Sequence, residues 1–236
     1  EQQFQYYAFI SYKREDEKWA KWLQDRLRWY KLPSKLCRQI TRLPKKVWPV
    51  FRDNTDLDSG RLEENIRHEL ERSHYLIVIC SPEAARSPWV GKEVKYFATL
   101  HGADKIIPFV VSGIPYSNDI ETECIHEQIK AISQEELLAI NVREEGIGSF
   151  AMKKKRAFIR VVARLLDIKF NTLWQPYERI LRIRKWSTGI GVVLFLFVLF
   201  ILWDYYRTKN EYFADYVDRW GIPEGVIELS AEQVKK

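Results

Sequence analysis

From Trp186 to Trp203 the chain reads WSTGIGVVLFLFVLFILW, with no charged side chain and with Leu, Phe, Val or Ile at nearly every position from Ile190 onward. As a helix this run spans about 27 Å at ~1.5 Å per residue, close to the ~30 Å of a bilayer core. A buried helix of a globular domain of this size normally keeps a polar stripe, and this run has none, so a membrane-crossing helix is expected. Trp186 on one side and Trp203, Tyr205 and Tyr206 on the other suit the two interfaces. Arg179, Arg182, Arg184 and Lys185 precede the run, whereas Arg207 and Lys209 after it are offset by Asp204 and Glu211. The positive-inside rule therefore places residues 1–185 in the cytosol. Residues 204–236 hold five Lys/Arg against seven Asp/Glu, net −2, leaving +8 for the rest of a chain whose total is +6. Part of that excess is a juxtamembrane patch suited to anionic lipid, which weakens a nucleic-acid reading.

The expected organisation is a soluble domain over 1–170, a basic linker over 171–185, a single transmembrane helix over 186–203 and an extracytoplasmic stub over 204–236. The first thirty residues show no signal-peptide pattern. Ser230-Ala231-Glu232-Gln233 has the form of a helix start, which makes a longer C-terminal region the expectation.

The soluble part alternates short apolar runs with amphipathic stretches. Tyr7–Ile10, Trp48–Phe51, Tyr75–Cys80 and Ile106–Val111 are nearly continuous in apolar residues, as strands buried on both faces are. A weaker fifth run lies at Leu138–Asn141. Between them, Trp19, Trp22, Leu23, Leu27 and Tyr30 recur at helical spacing, as do Val90, Val94, Phe97 and Ala98, then Phe158, Val161, Val162, Leu165 and Leu166. Leu62, Ile66, Glu69 and Leu70 do so less clearly. Alternating strand and helix predicts an α/β fold, a flavodoxin-like doubly wound parallel sheet of five strands. Ligands gather beyond the carboxyl ends of such strands, so the segments to inspect are Ser11–Asp16, Arg52–Gly60 and Ser81–Glu93.

Those segments carry a resemblance. AFISYKRED at Ala8–Asp16, VFRDNTDLDSG at Val50–Gly60 and SHYLIVICSPEAARSPWVGKEV at Ser73–Val94 resemble, in the same order, three motifs of TIR domains. These are the first strand and loop, the second strand with its long following loop, and the third strand leading into a Trp-x-x-x-Glu helix. The resemblance covers residues 6–170 and is nearest to bacterial TIR proteins with a C-terminal transmembrane helix. A basic insertion at Lys31–Lys46 departs from it.

The resemblance implies cleavage of the nicotinamide–ribose bond of NAD, with Glu93 as the essential glutamate of the motif and NAD as substrate rather than cofactor. A carboxylate at that place stabilises an oxocarbenium-like ribose or holds its hydroxyls. Trp89, four residues earlier, projects from the same helix face and is placed to stack on a ring or line a pocket. Glu93 also has a purely local reading, an acid in the early turns of a helix favoured by the dipole. In family members the first loop borders the nucleotide, which brings in Ser11, Tyr12, Lys13 and Arg14. Lys13 and Arg14 suit a pyrophosphate; alternatively Lys13–Asp16 is a solvated charge run with Asp16 capping the next helix. Arg52 and Asp53, which the resemblance also places among the residues that bind the nucleotide, form the second loop with Asn54, Asp58 and Gly60. The resemblance implies that this loop meets a neighbouring protomer and that TIR–TIR association completes the site.

Other chemistries lack their residues. Neither glycine-rich phosphate loop is present, nor a GxSxG elbow. His68, His74, His101 and His126 show no metal-ligand spacing. Cys37, Cys80 and Cys124 form no CxxC and suit a reducing compartment, with Cys80 expected to pack. Lys153–Arg156 has no interleaved aromatic and is expected to be solvated or lipid-facing. The function expected is a membrane-anchored, self-associating NAD glycohydrolase or ADP-ribose cyclase in bacterial defence. A non-catalytic adaptor working by TIR–TIR association, or membrane disruption driven by oligomerisation, are the alternatives.

Overall fold

The apolar runs do become buried strands. A computed structural model describes residues 4–40, 43–44, 46–52, 60–132, 138–143 and 148–221. Within them β1 (Tyr6–Ser11), β2 (Val50–Arg52), β3 (Ser73–Cys80), β4 (Ile106–Val110) and β5 (Ile140–Asn141) form one sheet in the order β2-β1-β3-β4-β5. Every pairing is parallel. This is the doubly wound arrangement expected, with its reversal of direction between β1 and β3. Trp48 and Pro49 fall just outside β2. Proline has no N–H for a ladder, although the Pro49 carbonyl accepts from the Tyr7 N–H at 2.8 Å.

Helices α1 (Glu17–Trp29), α2 (Ser34–Gln39), α3 (Gly60–Glu71), α4 (Pro82–Ala85), α5 (Pro88–His101), α6 (Glu127–Ile132) and α7 (Phe150–Leu165) connect and follow the strands, and α8 (Phe170–Trp220) ends the described chain. The Lys31–Lys46 insertion is more than a charged loop: it contains α2, and its Leu32 and Leu36 are buried.

Side chains alternate along a strand, which divides the core into two layers. On one face Phe9, Leu76, Val78, Ile106 and Val110 pack with Ile66 and Leu70 of α3, Val90, Val94 and Phe97 of α5, and Ile129 of α6. On the other, Trp22 of α1 stacks on Phe109 at 6.4 Å and meets Phe158 of α7 at 6.3 Å. The helical patterns mark the right faces: Leu23 and Leu27 of α1 and Val161, Val162 and Leu165 of α7 are buried. The Leu62 side chain lies outside the described residues.

The chain divides into two compact units, Glu1–Pro176 and Tyr177–Lys236. In the first, Leu173 and Trp174 at the start of α8 are buried, and the Arg156 guanidinium sits 5.1 Å over the Trp174 ring. The second is helical to Trp220 and contains one stretch, Gly189–Tyr216, long and apolar enough to cross a membrane. Its apolar side chains from Ile190 to Trp203 are all exposed. Beyond them the charged pairs Arg207–Glu211 and Arg219–Asp215 close at 3.1 and 3.0 Å. The segment expected as a linker, 171–185, is helical throughout, and the helix start expected at Ser230 lies outside the described residues.

Phe9 is fully buried and stacks on Phe51 at 5.2 Å. Phe9→Ala should lower the stability of the detergent-solubilised chain by about 3–5 kcal/mol in urea unfolding. Trp29→Ala, at a side chain 75% exposed, should stay within about 0.5 kcal/mol.

Candidate functional site

The strand period of two also decides which side of the sheet each polar group at its carboxyl edge faces. Ser11 ends β1 and shares the face of Phe9, the side covered by α3 and α5. There its Oγ–H donates to Glu93 Oε2 at 2.5 Å. Both residues are withdrawn from water, Ser11 at 1% and Glu93 at 5% exposure, and a carboxyl group so buried persists only when hydrogen-bonded. Glu93 reaches this position because Ser87 and Pro88 start α5 as N-cap and first helical residue. Trp89 follows in the first turn, and Glu93 lies one turn further on the same side. Trp89 and Glu93 border a cavity of about 320 Å³ between α3 and α5, whose apolar wall includes Ile66 and Leu70.

Ser81 continues β3 in extended conformation, φ −146° and ψ 166°, and therefore faces the other way, toward α1. Its Oγ–H donates to Asp16 Oδ2 at 2.5 Å, and the same Oγ accepts the Ala84 N–H at 3.1 Å. Asp16 stands at the N-cap position of α1 as expected, but its carboxylate caps nothing and is turned to Ser81 instead. Burial pushes its pKa up, against the Ser81 hydrogen bond that lowers it, with Glu83 and Glu15 adding to the rise.

Arg52 faces the α1 side as well. Its Nη1–H donates to Tyr12 Oη at 3.1 Å and meets Glu17 Oε1 at 3.3 Å, while Nε–H donates to Gln24 Oε1 at 3.1 Å. Only 9% of the Arg52 side chain is exposed. The residues grouped by sequence thus fall into two clusters on opposite faces of the sheet: Ser11, Trp89 and Glu93 by α5, and Tyr12 with Arg52 by α1. Lys13 is half-buried and Arg14 exposed, both at the short turn before α1. Asp53, Asn54 and Asp58 lie outside the described residues, and Gly60 opens α3.

Burial raises the Cys80 thiol well above its ordinary pKa and Cys124 to about 12, so both pack as thiols. Among the described residues no three His, Cys, Asp or Glu are grouped to hold a metal ion. The basic run of α7 is not simply solvated. The Lys154 ammonium lies 4.4 and 4.2 Å from the ring centres of Trp19 and Trp22, aromatics contributed by α1 rather than interleaved in sequence.

One contributor was invisible to spacing. His126, just before α6, accepts the Gln128 N–H on Nδ1 at 3.0 Å. That bond leaves the proton on Nε2, which donates to the Ser87 carbonyl at 3.1 Å. The imidazole so placed presses on α5 at Gly91, where a Cβ would stand 2.5 Å from His126 Cε1 and 2.7 Å from Nε2. His126 therefore fixes the first turn of the helix that presents Trp89 and Glu93.

The family model described as TIR domain matches residues 8–144. Over 65 residues, 27% of this chain, the sequence is 42% identical to the NAD(+) hydrolase ApTIR of Actinoplanes sp., and the match spans 9% of that protein's length. Among solved structures, the TIR domains of the activated Roq1 resistosome directly recognizing the pathogen effector XopQ align with a TM-score of 0.43 at 14% identity. That alignment covers 65% of this chain and 98% of the other.

The contact between His126 and Gly91 generates two expectations. Gly91→Ala should destabilise the fold by about 1–3 kcal/mol through overpacking, and combining it with His126→Ala should recover part of that loss, a coupling read from a double-mutant cycle. Burial also lowers the His126 pKa, the Ser87 bond opposing it. As pH falls below about 6.5, the unfolded chain takes up this proton before the folded one does, so stability declines until the lowered value is passed. Thermal midpoints at about pH 7.5 and 5.5 should differ more for wild type than for His126→Gln.

Proposed function

This chain belongs to the TIR domain family, and on that footing we propose that it cleaves NAD at the nicotinamide–ribose bond, with Glu93 as the catalytic carboxylate. The observation that carries the reading is the buried Ser11–Glu93 hydrogen bond of 2.5 Å beside a cavity that Trp89 also borders. A partial relative named as an NAD(+) hydrolase supports it. The C1′–N bond breaks with its electron pair passing to the pyridinium nitrogen, so nicotinamide leaves neutral and positive charge moves to the ribose. A fixed carboxylate stabilises that charge most where water is excluded. Ser11 holds the carboxylate oriented, and Trp89 supplies an aromatic wall. Water then adds to C1′ and releases a proton, giving ADP-ribose; attack by an adenine nitrogen instead gives the cyclic product.

The domain works as a self-associating unit tied to a membrane. An exposed apolar band as long as that of Gly189–Tyr216 exceeds what a water-facing helix carries, which supports a bilayer crossing. The cluster Arg179, Arg182, Arg184 and Lys185 supports a cytosolic TIR domain. Glu93 is 5% exposed, so substrate entry requires surrounding segments to shift, and docking of a neighbouring TIR domain supplies the force for that.

Glu93→Gln keeps an acceptor for Ser11 and removes the charge. Nicotinamide release from NAD, followed with the chain crowded on membranes, should fall on the order of 10²- to 10³-fold, with an unchanged circular dichroism spectrum. Equal release by the two proteins would refute the assignment of Glu93.

A further inference from the structure

The insertion between α1 and β2 carries charge of one sign only. From Lys31 to Lys46 there are six Lys/Arg and no Asp or Glu, an excess equal to the +6 of the whole chain. The segment is nevertheless built onto the domain. Leu32 and Leu36 are buried. The Leu36 and Cys37 N–H groups donate to the Pro33 carbonyl at 2.9 and 3.2 Å, and the Ile40 N–H donates to the Leu36 carbonyl at 3.0 Å. With the leucines turned inward, Lys31, Arg38 and Lys46 are exposed. Arg28 and Trp29, at the end of α1, are exposed as well. The Arg28 guanidinium lies 5.6 Å from the Trp29 ring centre and 5.7 Å from that of Trp48.

Topology fixes where this surface lies. A helix that joins two parallel strands carries the chain from the carboxyl edge of the sheet back to its amino edge. β1 and β2 pair in parallel, so the insertion, which follows α1 and precedes β2, stands at the amino edge. The Ser11–Glu93 pair is at the opposite edge. α7 runs beside α1 in the same sense, since Phe150 meets Trp19 at 6.4 Å and Phe158 meets Tyr30 at 5.3 Å. Its last turn is therefore at the amino edge too, where Arg164 reaches the Asp104 carbonyl just before β4 at 3.5 Å. α8 starts from there, with Leu173 and Trp174 buried in the same compact unit. The chain thus leaves the soluble domain, toward Gly189–Tyr216, from the edge that bears the insertion. That edge also holds Asp104, paired with Lys105 at 3.3 Å.

We propose that the Lys31–Lys46 insertion, with Arg28 and Trp29, is a docking surface for the anionic lipid of the bilayer. This rests on the reading of Gly189–Tyr216 as a bilayer crossing, which keeps the domain within reach of lipid and makes the contact intramolecular. Each cation close to an anionic leaflet favours the docked state by roughly fivefold, and an exposed indole suits the headgroup level. A single helical tether leaves the domain free to tumble above the membrane. The second contact turns the amino edge to the lipid and the carboxyl edge, with Glu93, to the cytosol where NAD and a neighbouring TIR domain arrive.

The test compares the full chain in nanodiscs of phosphatidylcholine alone and of phosphatidylcholine with phosphatidylglycerol at about 7:3, read by amide hydrogen exchange over residues 28–40. Exchange there should slow about tenfold with anionic lipid, and about 1 M salt should abolish the difference. The fourfold variant Arg28→Gln, Lys31→Gln, Arg38→Gln and Lys46→Gln should exchange equally in both lipids, with an unchanged circular dichroism spectrum. Equal exchange by wild type in the two lipids, or undiminished protection in the fourfold variant, would overturn the proposal. Protection of 28–40 by an added oligonucleotide but not by anionic lipid would assign the surface to nucleic acid and overturn it as well. A chain that alkaline carbonate strips from phosphatidylcholine vesicles would refute the bilayer crossing instead. In that event, protection of 28–40 by added anionic vesicles, lost in the fourfold variant, upholds the docking surface, and its absence overturns that too.

Discussion

The alternation of side chains at the carboxyl ends of β1 and β3 governs the catalytic site proposed for this protein. Two serines stand there, and each takes a carboxyl group 2.5 Å away from a helix on its own side of the sheet: Ser11 from α5, Ser81 from the start of α1. One residue of extra strand at either place would send the hydroxyl to the opposite layer and leave a buried acid without its donor. An unpaired buried acceptor of this kind costs about 1–3 kcal/mol, more if charged. These pairs therefore pin α1 and α5 to the sheet, and one of them also sets the direction of the carboxyl group to which catalysis is assigned.

Placement of α5 depends on more than its own cap. His126 reaches it from the segment before α6, through the Ser87 carbonyl and close contact with Gly91. Glycine at that position lets a ring lie against the helix backbone, so the helix is braced on the side away from Ser11. Rigid support on both sides is what a preorganised carboxylate requires, because a group that must reorient during the reaction forfeits much of its electrostatic advantage.

Much of the architecture was legible in the sequence. Four nearly continuous apolar runs gave four strands, and helical spacing marked the buried faces of α1, α5 and α7. The fifth strand, Ile140–Asn141, is only two residues long, too short for a periodic signal. Within the site, counting in twos places Ser11 on the face of Phe9 without any coordinates, whereas the packing alone shows that α5 covers that face. The side taken by Arg52 was not readable, because it depends on the register that pairs Phe9 with Phe51 and Ile10 with Arg52. Asp16 had the residue type and position of a cap, yet its partner lies 65 residues away, beyond any local pattern. His126 was passed over for a similar reason: its hydrogen bonds go to backbone groups, which leave no mark in residue identity. The Arg67 guanidinium over the Tyr96 ring was likewise hidden, since pairing across α3 and α5 is a property of packing.

The central claim is that the reacting ribose sits on the α5 side of the sheet, beside Glu93. The most direct measurement is a structure of this chain with a non-cleavable NAD analogue bound. The account predicts the nicotinamide-bearing ribose in contact with Glu93 and Trp89. Analogue bound on the α1 side, against Arg52 and Tyr12 with Glu93 still enclosed by Ser11, would contradict it.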